Sequence, residues 1–115
     1  MLVTNMKEVK KPWGSFKQFV LNKKCTVKII EVKSNGILSL QKHKKREEEW
    51  YFLTDGFVQL GDKIRKLKKG SLIKIPKNTA HRLLARNKQV AVLEISFGKF
   101  SEKDITRLKD KYGRK

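Results

Sequence analysis

Apolar and polar residues alternate in short runs along most of this chain, and Gly, Asn, Asp and Pro separate the runs. Period-two alternation bounded by turn residues marks β-strands. It predicts strands over 16–21, 25–33, 38–43, 57–60, 64–67, 72–75, 80–85 and 89–97, and one more carrying Glu48, Trp50 and Phe52. Asn22-Lys23-Lys24 breaks the first two apart. Ser34-Asn35-Gly36 makes a turn, since Asn and Gly accept positive φ, and Gly61-Asp62-Lys63 joins its flanking strands as a hairpin. In 25–33 the apolar positions change phase, with Val27 and Ile29 on one face and Ile30 and Val32 on the other. That predicts a bulge, or a strand covered on both sides. Residues 89–97 are almost continuously apolar and are expected to be buried on both faces.

So many short strands predict an all-β double-sheet jelly roll or small barrel. The period changes near the C-terminus, where Ile105, Leu108 and Tyr112 recur at helical spacing and Ser101 with Asp104 resembles a cap. A short helix within 101–112 is expected. Residues 1–10 are polar and mixed, an arm that frays or docks on a neighbouring subunit. No repeat, linker or low-complexity tract divides the 115 residues, so a single domain spanning 1–115 is expected.

Chemistry gathers in GILSLQKHKKREEEWYFLTDG, Gly36 to Gly56. In an extended 38–43, Gln41 and His43 share one face, and a turn over Lys44, Lys45 and Arg46 returns Glu48 toward them. A second stretch, GSLIKIPKNTAHRLLA from Gly70 to Ala85, supplies His81 after the turn Pro76-Lys77-Asn78. Gln41, His43, Glu48 and His81 would make a four-donor set for a cation, with room left for water or substrate. Singly, a strand histidine is more often a structural hydrogen-bonding residue, and a Gln or Glu is simply solvated. Spacing alone does not bring the two stretches together.

These stretches resemble the two motifs of the cupin superfamily, G-x5-H-x-H-x3,4-E-x6-G and G-x5-P-x-G-x2-H. The second is met by Gly70, Pro76 and His81, with Asn78 in place of a glycine, a mild change because Asn tolerates left-handed backbone. In the first, Gln41 stands where a histidine is usual, and the closing Asp55-Gly56 slides by one position. Gln41, His43, Arg46, Glu48 and Trp50 together resemble the type II phosphomannose isomerases, the C-terminal cupin of bifunctional mannose-1-phosphate guanylyltransferase/mannose-6-phosphate isomerase enzymes. Lys11-Pro12-Trp13-Gly14-Ser15-Phe16 is similar to that family's entry sequence, and Glu102, Asp104-Ile105, Arg107, Asp110 and Tyr112-Gly113-Arg114 to its closing segment. The family often has a histidine where this chain has Glu49, so that residue's role does not carry over.

The resemblance implies a cupin double-stranded β-helix and interconversion of mannose 6-phosphate and fructose 6-phosphate. It implies a divalent metal ion held by Gln41, His43, Glu48 and His81; two nitrogen and two oxygen donors suit Zn, Mn, Fe, Co or Ni alike. Arg46 is the candidate for an electrostatic role on an enediolate or phosphate. Arg82, Trp50, Tyr112 and Arg114 are weaker candidates for substrate contact: Arg82 should face away from His81, and Trp50 and Phe52 are more often core. Glu48 is not available as the proton-transfer base if it ligates metal, Glu49 should point the other way, and the base stays unassigned. The guanylyltransferase half is absent, so guanylyl transfer is not expected of these residues.

With 29 Lys and Arg against 11 Asp and Glu, the net charge of +18 favours anionic partners such as sugar phosphates. The basic residues are scattered in pairs and match no RNA- or DNA-binding motif, so nucleic acid is not the expected partner. No apolar run is long enough to span a membrane, and the first eleven residues lack signal-peptide character. The single cysteine, Cys25, is expected to be a small buried thiol. A cytoplasmic protein follows, and strands apolar on both faces point to a homodimer. The alternative is a non-catalytic cupin that binds a sugar, a nucleotide sugar or another anion; a basic module for nucleic acid is weaker still.

Overall fold

A computed structural model describes residues 2–4, 7–99 and 102–113. The strands in chain order are β1 (Leu2–Thr4), β2 (Lys7–Lys11), β3 (Gly14–Gln18), β4 (Thr26–Val32), β5 (Leu40–His43), β6 (Arg46–Phe52), β7 (Gly56–Leu60), β8 (Lys63–Leu67), β9 (Leu72–Ile75), β10 (His81–Leu84), β11 (Val90–Gly98) and β12 (Ile105–Lys109). One five-stranded sheet runs β1-β9-β6-β11-β4, a second runs β12-β5-β10-β7-β8, and β2 pairs with β3 in a two-stranded sheet. All pairings are antiparallel.

Trp50, Phe52, Ile73 and Val92 of the first sheet meet Val58, Leu67 and Leu83 of the second in one apolar cluster. Alternation puts these residues on the inner faces, and the same alternation carries Glu48, Glu94 and His81 inward at one end. The predicted hairpin of β7 and β8 is present, with Gly61 at φ 56 in its turn. Asn35 and Asn78 adopt φ of 63 and 60, the left-handed backbone that both turns require.

Several expectations are corrected. The C-terminal segment is not a helix: a single 3-10 turn, Glu102–Asp104, leads into β12, which adds to the edge of the second sheet against β5. The open edge of β5 offers backbone partners that a helix could not use, and period two now governs, since Ile105 and Arg107 both face the cavity between the sheets. Ser101, the expected cap, lies outside the described residues. The N-terminal arm forms strands: β1 pairs with β9 of its own chain, covering that edge, and residues 7–11 form β2. Cys25 is exposed rather than buried.

β4 carries no bulge: residues 26–32 run in unbroken register with 96–90 of β11. Its two apolar faces part ways, Val32 being buried while Val27 and Ile29 are 55% and 60% exposed. β11 closes its inner face, with Val90 and Val92 buried, while on its outer face Ile95 is buried and Ala91, Leu93 and Phe97 are half-buried.

Phe52 is fully buried at the centre of the shared cluster. Phe52→Ala is expected to cost about 3–5 kcal/mol of stability by chemical denaturation; a loss under about 1 kcal/mol would mean that the sheets do not meet there.

Candidate metal centre

Three strands aim the candidate donor side chains into one end of the space between the sheets. Gln41 and His43 lie two apart on β5 and share a face, as the alternation predicts. His81 opens β10 and stands opposite Gln41 in the ladder. Glu48 comes from β6, in the other sheet. The two motifs are also tied through the backbone, because Asn78 N–H donates to the His43 carbonyl at 2.7 Å. The β5–β6 turn is held by Asp104, whose carboxylate accepts from the backbone N–H of Lys44 at 3.2 Å and of Lys45 at 2.8 Å. Those bonds hold the Asp104 carboxyl below its usual pKa range. Gly98, at φ +104 opposite Arg46, lets β11 approach this turn; a side chain there would run into the Lys45 carbonyl oxygen.

His43, Glu48 and His81 are buried together, with one donor atom from each within 4.8 Å of the others. Glu48 Oε1 stands 3.3 Å from His81 Nε2, and Glu48 Oε2 stands 3.8 Å from His43 Nδ1 and 3.1 Å from Arg46 Nε. His43 Nε2 is 3.3 Å from Gln41 Oε1. The imidazole rings are 4.8 Å apart, and the Trp50 ring meets His81 edge-on at 5.5 Å.

The protonation pattern follows from the partners. His81 Nδ1 is 2.7 Å from the Thr79 carbonyl oxygen, which can only accept, so Nδ1 carries the hydrogen in neutral His81. Its Nε2 lone pair then faces a carboxylate oxygen, and Glu48 Oε1 is buried with no partner in hydrogen-bond geometry. Two lone pairs at 3.3 Å call for a positive centre between them, a proton shared by His81 Nε2 and Glu48 or a bound cation. The spacing suits a cation, since donors about 2.1 Å from a shared ion stand about 3.0–3.4 Å apart. The donors therefore fit a divalent cation. Gln41 Oε1 and His43 Nε2 stand at the same spacing, that of two donors on one ion or of an N–H···O bond.

Burial alone would raise the Glu48 pKa, but contact with His81 and the charges of His81, His43 and Arg46 outweigh it and hold the carboxyl below its usual range. Burial pushes His43 down to about 4 against the opposing pull of Glu48, keeping its imidazole neutral. The Glu94 carboxyl is raised, first by burial and then by the charge of Glu48; Lys28 and Arg46 offset part of this. The Trp50 indole N–H is buried short of hydrogen-bond geometry, yet also favours the charged form of Glu94.

The cavity measures about 220 Å³ and is walled by Lys28, Arg46, Trp50, Glu94 and Arg107 as well as the donor set. A larger groove of about 730 Å³ lies between the 19–24 segment and the first sheet, but the histidines do not reach it. Arg46 is buried in the cavity wall rather than exposed in a turn. Trp50 lines the cavity. Arg82 does not: it sits on the other face of β10, donating from Nε to Gln59 Oε1 at 2.6 Å. Tyr112 is also elsewhere, half exposed, its hydroxyl oxygen accepting from Ile37 N–H at 3.4 Å beside a separate groove. Arg114 lies outside the described residues. Glu49 points away, as expected, toward Lys74 at 3.7 Å.

Sequence reasoning passed over Lys28 and Glu94. The available signal was a single acid inside the apolar run of β11, and a lysine in the inward phase of β4.

Residues 2–110 match the family model described as "Mannose-6-phosphate isomerase C-terminal". The chain is 37% identical over 111 residues to the alginate biosynthesis protein AlgA of Pseudomonas aeruginosa, covering 93% of this chain and 23% of that protein. It is 33% identical over 111 residues to the xanthan biosynthesis protein XanB of Xanthomonas campestris pv. campestris, and 35% identical over 111 residues to a mannose-1-phosphate guanylyltransferase of Klebsiella pneumoniae. Each of those two matches covers 94% of this chain and 24% of the relative, so the chain spans about a quarter of their length. Among solved structures, a 3,4-ketoisomerase from Helicobacter canadensis superposes with TM-score 0.76 at 15% identity, covering 92% of this chain and 89% of that one. A cupin protein from Bacteroides fragilis superposes with TM-score 0.58 at 16% identity, covering 77% and 92%. These likenesses establish the cupin fold.

The His43 shift sets a pH dependence. The folded value of about 4 lies below the ordinary 6.5, so falling pH protonates the unfolded chain first. The melting temperature of metal-free protein should be insensitive to this group above pH 6.5 and fall as pH drops from 6.5 toward 4. A melting temperature that rises on acidification across that window would contradict the buried neutral imidazole.

Proposed function

Because the chain belongs to the mannose-6-phosphate isomerase C-terminal family, we propose that it is a metal-dependent sugar-phosphate isomerase that interconverts mannose 6-phosphate and fructose 6-phosphate. The observation that carries this reading is the buried His43–Glu48–His81 cluster, with a carboxylate oxygen facing an imidazole lone pair at 3.3 Å. In this reading His43, Glu48 and His81 hold a divalent cation and Gln41 adds an oxygen donor. Such an ion, when bound, supplies Lewis-acid polarisation of the sugar's carbonyl and hydroxyl oxygens.

The chain's own residues do the rest. Arg46 binds Glu48 Oε2 at 3.1 Å, fixing the carboxylate so that Oε1 remains turned toward His81. The same guanidinium brings fixed positive charge to the cavity wall, where an enediolate would develop. Lys28 and Arg107 add to it, so the wall carries three cationic side chains against the carboxylates of Glu48 and Glu94. That surplus suits a phosphate dianion, and the +18 charge of the whole chain favours its approach. The Thr79 carbonyl orients His81, and Trp50 packs against its ring.

The reading extends to a cytoplasmic homodimer, with the exposed Val27 and Ile29 of β4 available for an interface. Among the described residues no helix is long and apolar enough to cross a membrane.

The direct test is to incubate purified protein with mannose 6-phosphate and Mn, Co, Zn or Fe in turn and to monitor fructose 6-phosphate. Turnover with at least one metal is expected; a folded sample inert with every metal would instead support an anion-binding module. Arg46→Ala, assayed at saturating metal, should lower kcat about 100-fold. Unaltered turnover in that variant would remove Arg46 from the chemistry.

A further inference from the structure

A second buried carboxylate shares the cavity and has no part in the donor set. Glu94 is 6% exposed and lies on β11 between the apolar Leu93 and Ile95, where a packing role would need only another aliphatic side chain. Removing a carboxylate from water is costly unless charge or hydrogen bonds compensate. Here Ser96 Oγ donates to Glu94 Oε1 at 3.4 Å, and the ladder sets Glu94 between Lys28 of β4 and Trp50 of β6. Ser96, two residues on, is the ladder partner of Glu48. Glu94 and Glu48 are therefore diagonal neighbours on the inner face, with α-carbons about 7–8 Å apart. Both carboxylates line the same cavity of about 220 Å³.

The other acids near this end are committed elsewhere. Glu48 is engaged by Arg46 and both histidines, Glu49 faces Lys74 on the outer surface, and Asp104 accepts from the backbone of the β5–β6 turn. Among the described residues lining the cavity, Glu94 is the one carboxylate outside the donor cluster.

We propose that Glu94 is the proton-transfer group of the isomerisation, carrying a proton between C2 and C1 of an open-chain sugar phosphate; this rests on the isomerase reading above. The ionised carboxylate takes the proton from C2. The C–H electron pair becomes the C1–C2 π bond, and the C1 carbonyl π pair moves onto O1, giving an enediolate. Glu94 then returns the proton to C1 while the O2 hydroxyl proton passes to O1, which leaves the carbonyl at C2. No electrons or atoms are gained or lost overall. Burial, which raises the pKa of this carboxyl, makes it a stronger base than an exposed one, and Lys28 and Arg46 keep the charged form accessible.

The test compares wild type, Glu94→Gln and Glu94→Asp, each checked for melting temperature and bound metal, with mannose 6-phosphate in deuterated water. Wild type should turn over and incorporate deuterium at the transferred position. Glu94→Gln should lose about 100-fold or more in kcat and in deuterium incorporation, with KM changed less than about threefold. Glu94→Asp, which keeps the charge but draws it back by one methylene, should lie between, and it carries the test if the Gln variant does not fold. Either folded variant matching wild type in kcat and deuterium incorporation would overturn the role of Glu94 while the isomerase reading stands. A wild type inert with every metal would overturn that reading, and this role with it.

Discussion

A carboxylate oxygen and an imidazole lone pair face each other across 3.3 Å at the buried end of the sheets, and the organisation of the chain serves that confrontation. Glu48 and His81 belong to different sheets, so their approach is an outcome of sheet packing rather than of local sequence. The Thr79 carbonyl fixes which nitrogen of His81 is bare, and Arg46 fixes which oxygen of Glu48 is turned away. With both orientations set by neighbours, the gap between them is preorganised for positive charge, which is what a metal-binding position requires.

The supporting structure is a short list of clamps around one turn. Asp104 binds two backbone N–H groups of the β5–β6 connection, Asn78 ties that connection to the loop before His81, and Gly98 leaves room for β11 beside it. Asp104 acts from β12's leading turn, the segment whose periodicity pointed to a helix. Its function in the fold is to close the second sheet and hold the turn that carries Arg46 into the interior.

The strands were legible in the sequence because period-two alternation reports directly on an inner and an outer face, and 72–75 appears with the bounds expected. The shared face of Gln41 and His43 was legible for the same reason. Convergence of His81 with Glu48 was not, since period says nothing about which strands face one another; the motif resemblance supplied it. The C-terminal strand was missed because Ile105, Leu108 and Tyr112 happen to fit a helical spacing, whereas the open edge of β5 decides the outcome. Cys25 was misjudged because it lies just outside the ladder that begins at Thr26. Glu94 was passed over because an acid in an apolar run reads as an interruption until the register sets it beside Lys28.

The central claim is that the gap between Glu48 and His81 binds a divalent cation. Calorimetric titration of metal-free protein with Mn, Co and Zn ions, repeated on Glu48→Gln and His81→Asn, measures it directly. The account predicts one ion bound per chain in the wild type and loss of that binding in both variants. Absence of binding by the folded wild type, or variants that bind as tightly as it does, would contradict the account.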